Sequence, residues 1–219
     1  MTSDDIAPSN AANEAVNPSL VTRPSSSRLA RVTGLVLAGG MGRRMDSRDK
    51  GLVPFRGKPM VAHVIERLAP QVGSVLINAN RNGEQYAAFG YPVIGDEVGG
   101  FAGPLAGLHA GMRACTTELI VTAPCDSPFL PLDLVARLHA AMESEIADLA
   151  VVRTGGFAQP VFALYSVALL PSLTAFLESG GRKIDTWYSA HRVAEVEFDD
   201  EAAFANINTI DELQSLERD

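Results

Sequence analysis

A glycine-rich segment followed by cationic residues is the part of the sequence best suited to chemistry. Gly39, Gly40 and Gly42 come directly after an apolar run. Glycines there let backbone N–H groups approach phosphate oxygens closely, because no Cβ is in the way. On a chain with a net charge of −8, a dense group of cations just downstream predicts a local site for a small polyanion. These cations make up a third of the 18 lysines and arginines: Arg43, Arg44, Arg48, Lys50, Arg56 and Lys58.

The glycines alone leave two interpretations open, a phosphate-binding loop and a tight strand-to-helix turn without a ligand. Two common glycine-loop motifs are excluded. The P-loop needs Gly-Lys-Ser/Thr after four intervening residues, which this segment lacks, and the dinucleotide fingerprint meets Met45 where its third glycine belongs. The cations downstream favour phosphate binding, although a basic cluster that stood alone would be interpreted as a solvated loop.

A second candidate is Asp126, which lies in the turn Pro124-Cys125-Asp126-Ser127-Pro128 directly after a predicted strand. A carboxylate oxygen there suits Mg²⁺, which keeps most of its waters and bridges phosphates. The alternative, favoured for an isolated Asp before Ser-Pro, is a turn or helix-cap residue. Cys115 and Cys125 are too few for a disulfide framework and are interpreted as small core or loop residues. The four histidines show no metal-ligand spacing.

The elements that must position these residues alternate between strands and helices. Apolar residues at helical spacing predict helices after Pro59, Pro104 and Pro131, and Thr209 followed by Glu212 has the spacing of a capping box at the start of a last helix. Apolar runs predict strands at 32–37, 75–77, 93–94, 119–123, 149–152, 161–165 and 193–198. This order predicts an α/β fold with a mostly parallel central sheet and helices on both faces, whose ligands bind beyond the carboxyl ends of the strands.

Length and composition predict one globular domain. A chain of 219 residues, 47% of them hydrophobic, suits a single full-sized core. Residues 1–30 are polar, lack apolar periodicity and predict a disordered tail, whereas residues 31–219 show no repeat or linker and are expected to form the domain. No secretory signal or membrane span is recognised, so a cytoplasmic location is expected. The acidic balance argues against nucleic acid or a membrane as partner.

Three segments together resemble the signature of the molybdenum cofactor guanylyltransferase family. They are Leu37-Ala38-Gly39-Gly40-x-Gly42-x-Arg44-Met45, Asp49-Lys50-Gly51-Leu52 and Gly57-Lys58-Pro59. The resemblance extends over nearly all of 32–219, with further matches at Asn78-Ala79-Asn80-Arg81, Asp96, 103–107, 124–128 and 206–209. It departs at Asp46, where the family usually has Gly, and a carboxylate near a triphosphate is mildly repulsive.

The resemblance implies a Rossmann-like nucleotidyltransferase that moves GMP from GTP to the molybdenum–molybdopterin cofactor with Mg²⁺ and releases pyrophosphate. It implies catalytic roles for Lys50, Arg44 and Asp126, the last as metal ligand. The nucleotide-binding residues it implies are Leu37, Ala38, Gly39, Gly40, Gly42, Lys50, Asn78, Asp96 and Asp126. The acceptor-binding residues it implies are Gln159, Pro160, Arg182, Lys183, Asn206 and Asn208. Arg182 and Lys183 are equally well explained as a charged helix start.

The partners that the resemblance implies are GTP and molybdenum–molybdopterin as substrates, together with molybdenum-insertion proteins and the molybdoenzymes that accept the product. Three other functions remain open at this point. A cytidylyltransferase of the same pterin usually has Ala-Gly in place of Gly39-Gly40, and the sugar- or alditol-phosphate nucleotidyltransferases include larger enzymes with an appended repeat domain. A nucleotide-binding cofactor carrier would bind GTP without releasing pyrophosphate, and the presence of both Lys50 and Asp126 argues against it.

Overall fold

A computed structural model describes residues 30–39, 49–97 and 103–218 of the chain. Of the predicted site residues, Gly40, Gly42 and Arg44 lie outside the described residues, as do residues 1–29 of the predicted tail. None of the helices in the described ranges combines the length and the hydropathy that crossing a bilayer requires.

Strands make up two sheets. The strands are β1 (Val32–Leu37), β2 (Pro54–Phe55), β3 (Lys58–Pro59), β4 (Ser74–Asn78), β5 (Val93–Ile94), β6 (Leu119–Pro124), β7 (Leu149–Thr154), β8 (Phe157–Ser166) and β9 (Val193–Glu197). Seven of them form a central sheet in the order β5-β4-β1-β6-β8-β7-β9, and β2 and β3 form a small antiparallel ribbon. Within the described central sheet, β8 alone runs against its neighbours, so the sheet is mostly parallel as predicted.

Helices cover both faces of this sheet. They are α1 (Met60–Leu68), α2 (Gly83–Ala87), α3 (Pro104–Ala114), α4 (Leu134–Ser144), α5 (Leu170–Glu178), α6 (Ile184–Tyr188) and α7 (Ile210–Arg218). Short 3₁₀ turns lie at Lys50–Leu52, Ala69–Gln71, Val167–Leu169 and Glu201–Phe204. The α/β fold class predicted from the alternation of apolar patterns is therefore confirmed.

The sheet has a hydrophobic core on each face. Neighbouring residues of one strand pack in different cores, because successive side chains of a strand point to opposite faces. Val36 of β1 and Val121 of β6 pack in the core under α1 and α4. Leu35 and Ile120, their immediate neighbours in sequence, pack in the core under α3 and α5. All four side chains are fully buried, so the continuous apolar runs in the sequence reflect strands that are covered on both sides.

The order of the strands determines where a ligand binds. From β1 the chain proceeds to β4 and β5 on one side, and then returns to the other side of β1 as β6. Loops that leave β1 and β6 therefore diverge from neighbouring strands, and open α/β sheets bind ligands in the crevice that this reversal creates. Gly39 follows β1 and Asp126 follows β6, so two of the predicted site segments lie at this crevice.

The predicted capping box is present at the start of α7. The Thr209 hydroxyl accepts a hydrogen bond from Glu212 N at 3.1 Å, and Glu212 Oε2 accepts from Thr209 N at 3.3 Å and from Asn208 N at 2.7 Å. The box satisfies backbone donors that the first turn of a helix leaves unpaired. It also fixes the conformation of the segment that carries Asn208.

Candidate functional site

Three strands end side by side at the carboxyl edge of the sheet. Leu37, the last residue of β1, is in register with Asn78 of β4 and with Pro124 of β6. Beyond these ends, Ala38 N donates to Asn78 O at 2.8 Å and Cys125 N donates to Leu37 O at 3.0 Å. The loops that carry the predicted glycine, nucleoside and metal-site residues therefore start from one place.

Lys50, Asp126 and Asn208, here called the lysine cluster, meet at this edge. Lys50 Nζ lies 3.0 Å from Asp126 Oδ2 and 2.7 Å from Asn208 Oδ1. The side chains of Lys50 and Asp126 are only 21% and 11% exposed, so their attraction is less screened than that of a surface pair. The fold thus brings together a predicted phosphate-binding lysine, a predicted metal ligand and a predicted acceptor-side residue.

The segment 206–208 is attached to the loop after β6 by hydrogen bonds. Ile207 N donates to Asp126 O at 2.9 Å, and the buried Ser127 hydroxyl donates to Asn206 Oδ1 at 2.6 Å. Asn208 Nδ2 donates to Asn206 O at 3.1 Å, which leaves Asn208 Oδ1 directed at Lys50. Asn206 therefore supports the Asp126 loop with its side chain, a role that its position in the sequence did not reveal.

The oxygens around Lys50 Nζ have the chemistry of a site for a hard cation. Asp126 offers a carboxylate and Asn208 an amide carbonyl, and both oxygens are occupied by the ammonium group. Within the described ranges, His, Cys, Asp and Glu nowhere gather in threes that could hold a metal alone. Mg²⁺ typically takes one or two carboxylates together with substrate phosphates, so the donor set fits an ion that binds along with a nucleotide.

Asn78 and Asp96, two predicted nucleotide-binding residues, form one hydrogen-bonded group with Asn80. Asp96 Oδ1 accepts from Asn78 Nδ2 at 2.9 Å and Oδ2 accepts from Asn80 Nδ2 at 2.7 Å, while Asp96 N donates to Asn80 Oδ1 at 2.8 Å. Asn78 is only 2% exposed. A carboxylate accepts about four hydrogen bonds, so Asp96 retains capacity for donors on a base.

Gly107 brings the segment 103–107 against Asn78, a predicted nucleotide-binding residue. A Cβ at this position of α3 would lie 2.4 Å from Asn78 Oδ1 and 2.8 Å from Leu37 Cδ2, distances at which atoms overlap. The absence of a side chain lets α3 approach the ends of β1 and β4 and holds Asn78 in place. The family resemblance identified this segment, but the packing reason for its glycine needed the structure.

Gln159 and Pro160 lie at an irregularity of β8 beside the same edge. β7 pairs with β8 at Val151–Ala163 and then at Val152–Gln159, so residues 160–162 bulge out of the ladder. The Thr122 hydroxyl donates to Val161 O at 2.8 Å, which anchors the bulge to β6 near its carboxyl end. Bulges are common next to active sites because they redirect the chain, and this one takes Pro160 out of pairing with β7.

Arg182 has a hydrogen-bonding role of its own at the end of α5. Its Nη1 donates to Leu177 O at 3.0 Å and to Gly181 O at 2.6 Å, so the guanidinium caps the carbonyl end of that helix. Lys183 is exposed and directly precedes α6. These contacts favour the alternative in which the two residues belong to helix ends, and they leave the role of both in acceptor binding a prediction.

The two cysteines behave as the sequence predicted. Both are free thiols, and Cys125 is buried directly before Asp126. Burial, reinforced by the nearby Asp126 and Asp49 carboxylates, raises the pKa of the Cys125 thiol well above its ordinary value. A neutral thiol is a poor nucleophile and metal ligand, so Cys125 serves as a small packing residue.

The fold and this site define the chain as an α/β nucleotidyltransferase. A family model described as the MobA-like NTP transferase domain matches residues 34–194. The chain is 59% identical over 191 residues to the molybdenum cofactor guanylyltransferase of Cupriavidus necator, covering 85% of this chain and 96% of that one. It is 52% identical over 194 residues to the one of Ralstonia pickettii, with 84% and 95% covered.

A solved structure agrees with these relatives. Molybdopterin-guanine dinucleotide biosynthesis protein A from Archaeoglobus fulgidus matches with a TM-score of 0.68 and 27% identity, over 85% of this chain and 97% of that chain. The chain belongs to the molybdenum cofactor guanylyltransferase family. This confirms the family that the glycine loop and the Asp49-Lys50-Gly51 segment resemble.

Proposed function

We propose that this chain transfers GMP from GTP to the molybdenum–molybdopterin cofactor and releases pyrophosphate. The observation that carries the proposal is the lysine cluster at the strand-order reversal of a nucleotidyltransferase fold, in a chain of the guanylyltransferase family. Pyrophosphate release from GTP and the pterin cofactor, with the product identified by mass spectrometry, tests it. A cofactor carrier would bind GTP and release no pyrophosphate.

The proposed reaction is an in-line displacement at the α-phosphorus of GTP. An oxygen of the pterin's terminal phosphate forms the new P–O bond, and the bond to the β-phosphate oxygen breaks. Negative charge grows on the α-phosphate and on the leaving pyrophosphate, so catalysis consists mainly of positioning and charge neutralisation. Lys50 would neutralise that charge after its ammonium group exchanges Asp126 and Asn208, its two partners in the structure, for phosphate oxygens.

Asp126 and Asn208 would hold a Mg²⁺ ion together with the phosphates in the proposed site. When bound, the ion supplies Lewis-acid neutralisation of the phosphate oxygens. Gly39 is assigned to the triphosphate from its place after β1, while Gly40, Gly42 and Arg44 are assigned by sequence alone. The acceptor phosphate is assigned to the side of the site formed by the β8 bulge and by residues 206–208.

We expect GTP to bind about ten- to a hundredfold more tightly than ATP or CTP. Guanine carries N–H donors on one edge, and a base without these donors forfeits the further hydrogen bonds to the charged Asp96 carboxylate, each worth about 1.5–3 kcal/mol. Calorimetry with Mg²⁺ present measures all three affinities. Asp96→Ala should narrow the difference, and Glu97→Ala is the matched control because that carboxylate pairs with Arg113 at 3.1 Å instead. Equal affinities, or a preference for CTP, would contradict the guanylyl assignment.

We propose that residues 31–219 form the single catalytic domain and that residues 1–30 contribute little to it. Deletion of residues 1–30 is expected to leave the melting temperature and the turnover nearly unchanged, because the segment has no periodic apolar face. Arg31, whose carbonyl accepts from Leu119 N at 3.4 Å beside the sheet, is retained. Differential scanning fluorimetry and the pyrophosphate assay compare the two forms, and a large loss in either shows that the segment is needed.

A further inference from the structure

The side chain of Asp49 is directed away from the turn that it precedes. A carboxylate directly before a helical turn usually accepts hydrogen bonds from that turn's backbone N–H groups. In the described structure Asp49 makes no such capping bond to Lys50–Leu52. Instead its Oδ1 accepts from the Tyr86 hydroxyl at 2.5 Å and its Oδ2 from Asn82 Nδ2 at 2.9 Å. Both carboxylate oxygens are thus bonded to the region that follows β4.

Tyr86 is buried, whereas Asn82 is exposed but has a hydrogen-bonded backbone. Asn82 has a φ of 55°, in the left-handed region that Asn tolerates better than most residues. Its backbone carbonyl accepts from Tyr86 N at 3.1 Å. Tyr86 is 0% exposed, and burial raises the pKa of its phenol well above the ordinary value, so its hydroxyl stays protonated as a donor. Asp49, Asn82 and Tyr86 are called the Asp49 cluster below.

Gly51 shows how closely this cluster is packed against the site. A Cβ on Gly51 would lie 2.5 Å from the Tyr86 hydroxyl oxygen and 3.1 Å from both Cβ and Sγ of Cys125. Cys125 directly precedes Asp126. The backbone next to Lys50 is therefore wedged between Tyr86 and the strand end that carries Asp126, so one contact region determines where the two charged groups meet.

We propose that Asp49, Asn82 and Tyr86 are positioning residues that fix the backbone from which the Lys50 side chain reaches the phosphates. The proposal rests on the proposed function, in which Lys50 neutralises charge during transfer. A lysine side chain is long and flexible, and a catalytic group stabilises a transition state best when its base is held in place. Loosening the cluster should therefore slow transfer more than it weakens GTP binding.

The first test is Tyr86→Phe, which removes the hydroxyl and keeps the buried ring. We expect kcat to fall about tenfold, the low end for a lost hydrogen bond to a charged group, while KM for GTP changes by less than about threefold. Tyr91→Phe is the matched control, because Tyr91 is a half-buried tyrosine outside the cluster and its variant should keep the wild-type kcat. An unchanged kcat in Tyr86→Phe would overturn the proposal.

The second test exchanges donor and acceptor between two members of the cluster. Asn82→Asp places two carboxylates together and should lower kcat most, whereas Asp49→Asn removes the charge that accepts from the Tyr86 hydroxyl and should lower kcat less. The double variant restores one donor and one acceptor with their roles reversed, and its kcat should recover to within about threefold of wild type. A double variant no faster than the slower single variant would overturn the proposal.

Hydrogen exchange distinguishes a failure of this inference from a failure of the proposed function. Leu52 N and Val53 N close the turn onto Asp49 O at 3.0 Å and Lys50 O at 3.2 Å. Their exchange, followed by NMR, should be at least about fivefold faster in Tyr86→Phe than in wild type. Unchanged exchange overturns the inference even if wild-type turnover is as proposed. If wild type releases no pyrophosphate, the proposed function fails, while the two amides still report whether the cluster holds the Lys50 backbone.

Discussion

Asp126→Ala is expected to abolish nearly all pyrophosphate release while GTP still binds. Asp126 is the carboxylate of the lysine cluster, and its loss removes the proposed metal ligand and the charge stabilisation that depends on it. Removing such stabilisation commonly costs at least about 10²-fold in turnover. In the proposed site, GTP would keep its contacts with the glycine loop and with Asp96, and Lys50 would lose a competing counter-ion. Binding should therefore persist but lose most of its dependence on Mg²⁺.

Turnover and calorimetric GTP affinity, each with and without Mg²⁺, measure this effect. Asp148→Ala is the matched control, since Asp148 also forms an ion pair, to Arg192 at 2.7 Å, but precedes β7 at the opposite edge of the sheet. The control should keep wild-type turnover even if its melting temperature falls. Wild-type turnover in Asp126→Ala, with an unchanged response to Mg²⁺, would mean that Asp126 is only a turn residue.

Lys50→Ala is expected to weaken GTP binding and also to slow the transfer. In the proposed site the ammonium group contacts phosphates before and during the reaction. Loss of such a charge-assisted contact costs about 1.5–3 kcal/mol, or roughly ten- to a hundredfold in each measurement. Because Nζ lies 3.0 Å from Asp126 Oδ2, its removal also frees that oxygen. The affinity for Mn²⁺ without nucleotide should therefore rise. A variant that merely disrupted the fold would be expected to bind Mn²⁺ more weakly instead.

Calorimetry, the pyrophosphate assay and Mn²⁺ paramagnetic resonance give these three results. Lys58→Ala is the control, because Lys58 belongs to the same basic segment but forms a surface ion pair with Glu66. The Lys58 variant should match wild type in GTP affinity, turnover and Mn²⁺ affinity, since exposed ion pairs contribute little to the free energy of folding. Normal GTP affinity and normal turnover in Lys50→Ala would show that Lys50 has no role in nucleotide binding or transfer.

Much of the sheet was predictable because its strands are short apolar runs with clear boundaries. The strand at 32–37 ends at the glycine loop and β5 at 93–94 has the predicted bounds. The helix α5 was not predicted, because residues 161–170 form a nearly continuous apolar run in which strand and helix periodicities cannot be separated. The helices α2 and α6 have five residues each, too few for a periodic pattern.

β8 begins earlier than predicted for a related reason. The predicted strand started at Val161, directly after Pro160, which lacks the backbone donor that pairing in a sheet requires. In the structure the bulge removes Pro160 from pairing with β7, which lets the strand continue from Phe157 through a residue that cannot donate to a ladder. A bulge depends on the neighbouring strand, and the sequence of β8 alone does not contain that information.

In the candidate site, too, the residues could be predicted from the sequence, whereas contacts between distant segments could not. Lys50 was predicted from the basic segment together with the family resemblance, and Asp126 and Asn208 through that resemblance, but their contact depends on how the sheet closes. Asp49 shows the limit most clearly, since an Asp before a helical turn indicates a cap by default. Its actual partners, Asn82 and Tyr86, lie 33 and 37 residues away. Nothing in their spacing marks them as functional.

Because Lys50 contacts Asn208, the site cannot be complete during synthesis until Asn208 has emerged from the ribosome. Chains grow from the N-terminus at about 5–20 residues per second, so the 158 residues between the two would take roughly 8–30 s to emerge. β1, β4, β5 and β6 can pair during that interval and build most of the crevice. The nascent chain would then contain the glycine loop, Lys50 and Asp126 before Asn208 is made. Its lysine cluster would lack only the Asn208 Oδ1 that accepts from Lys50.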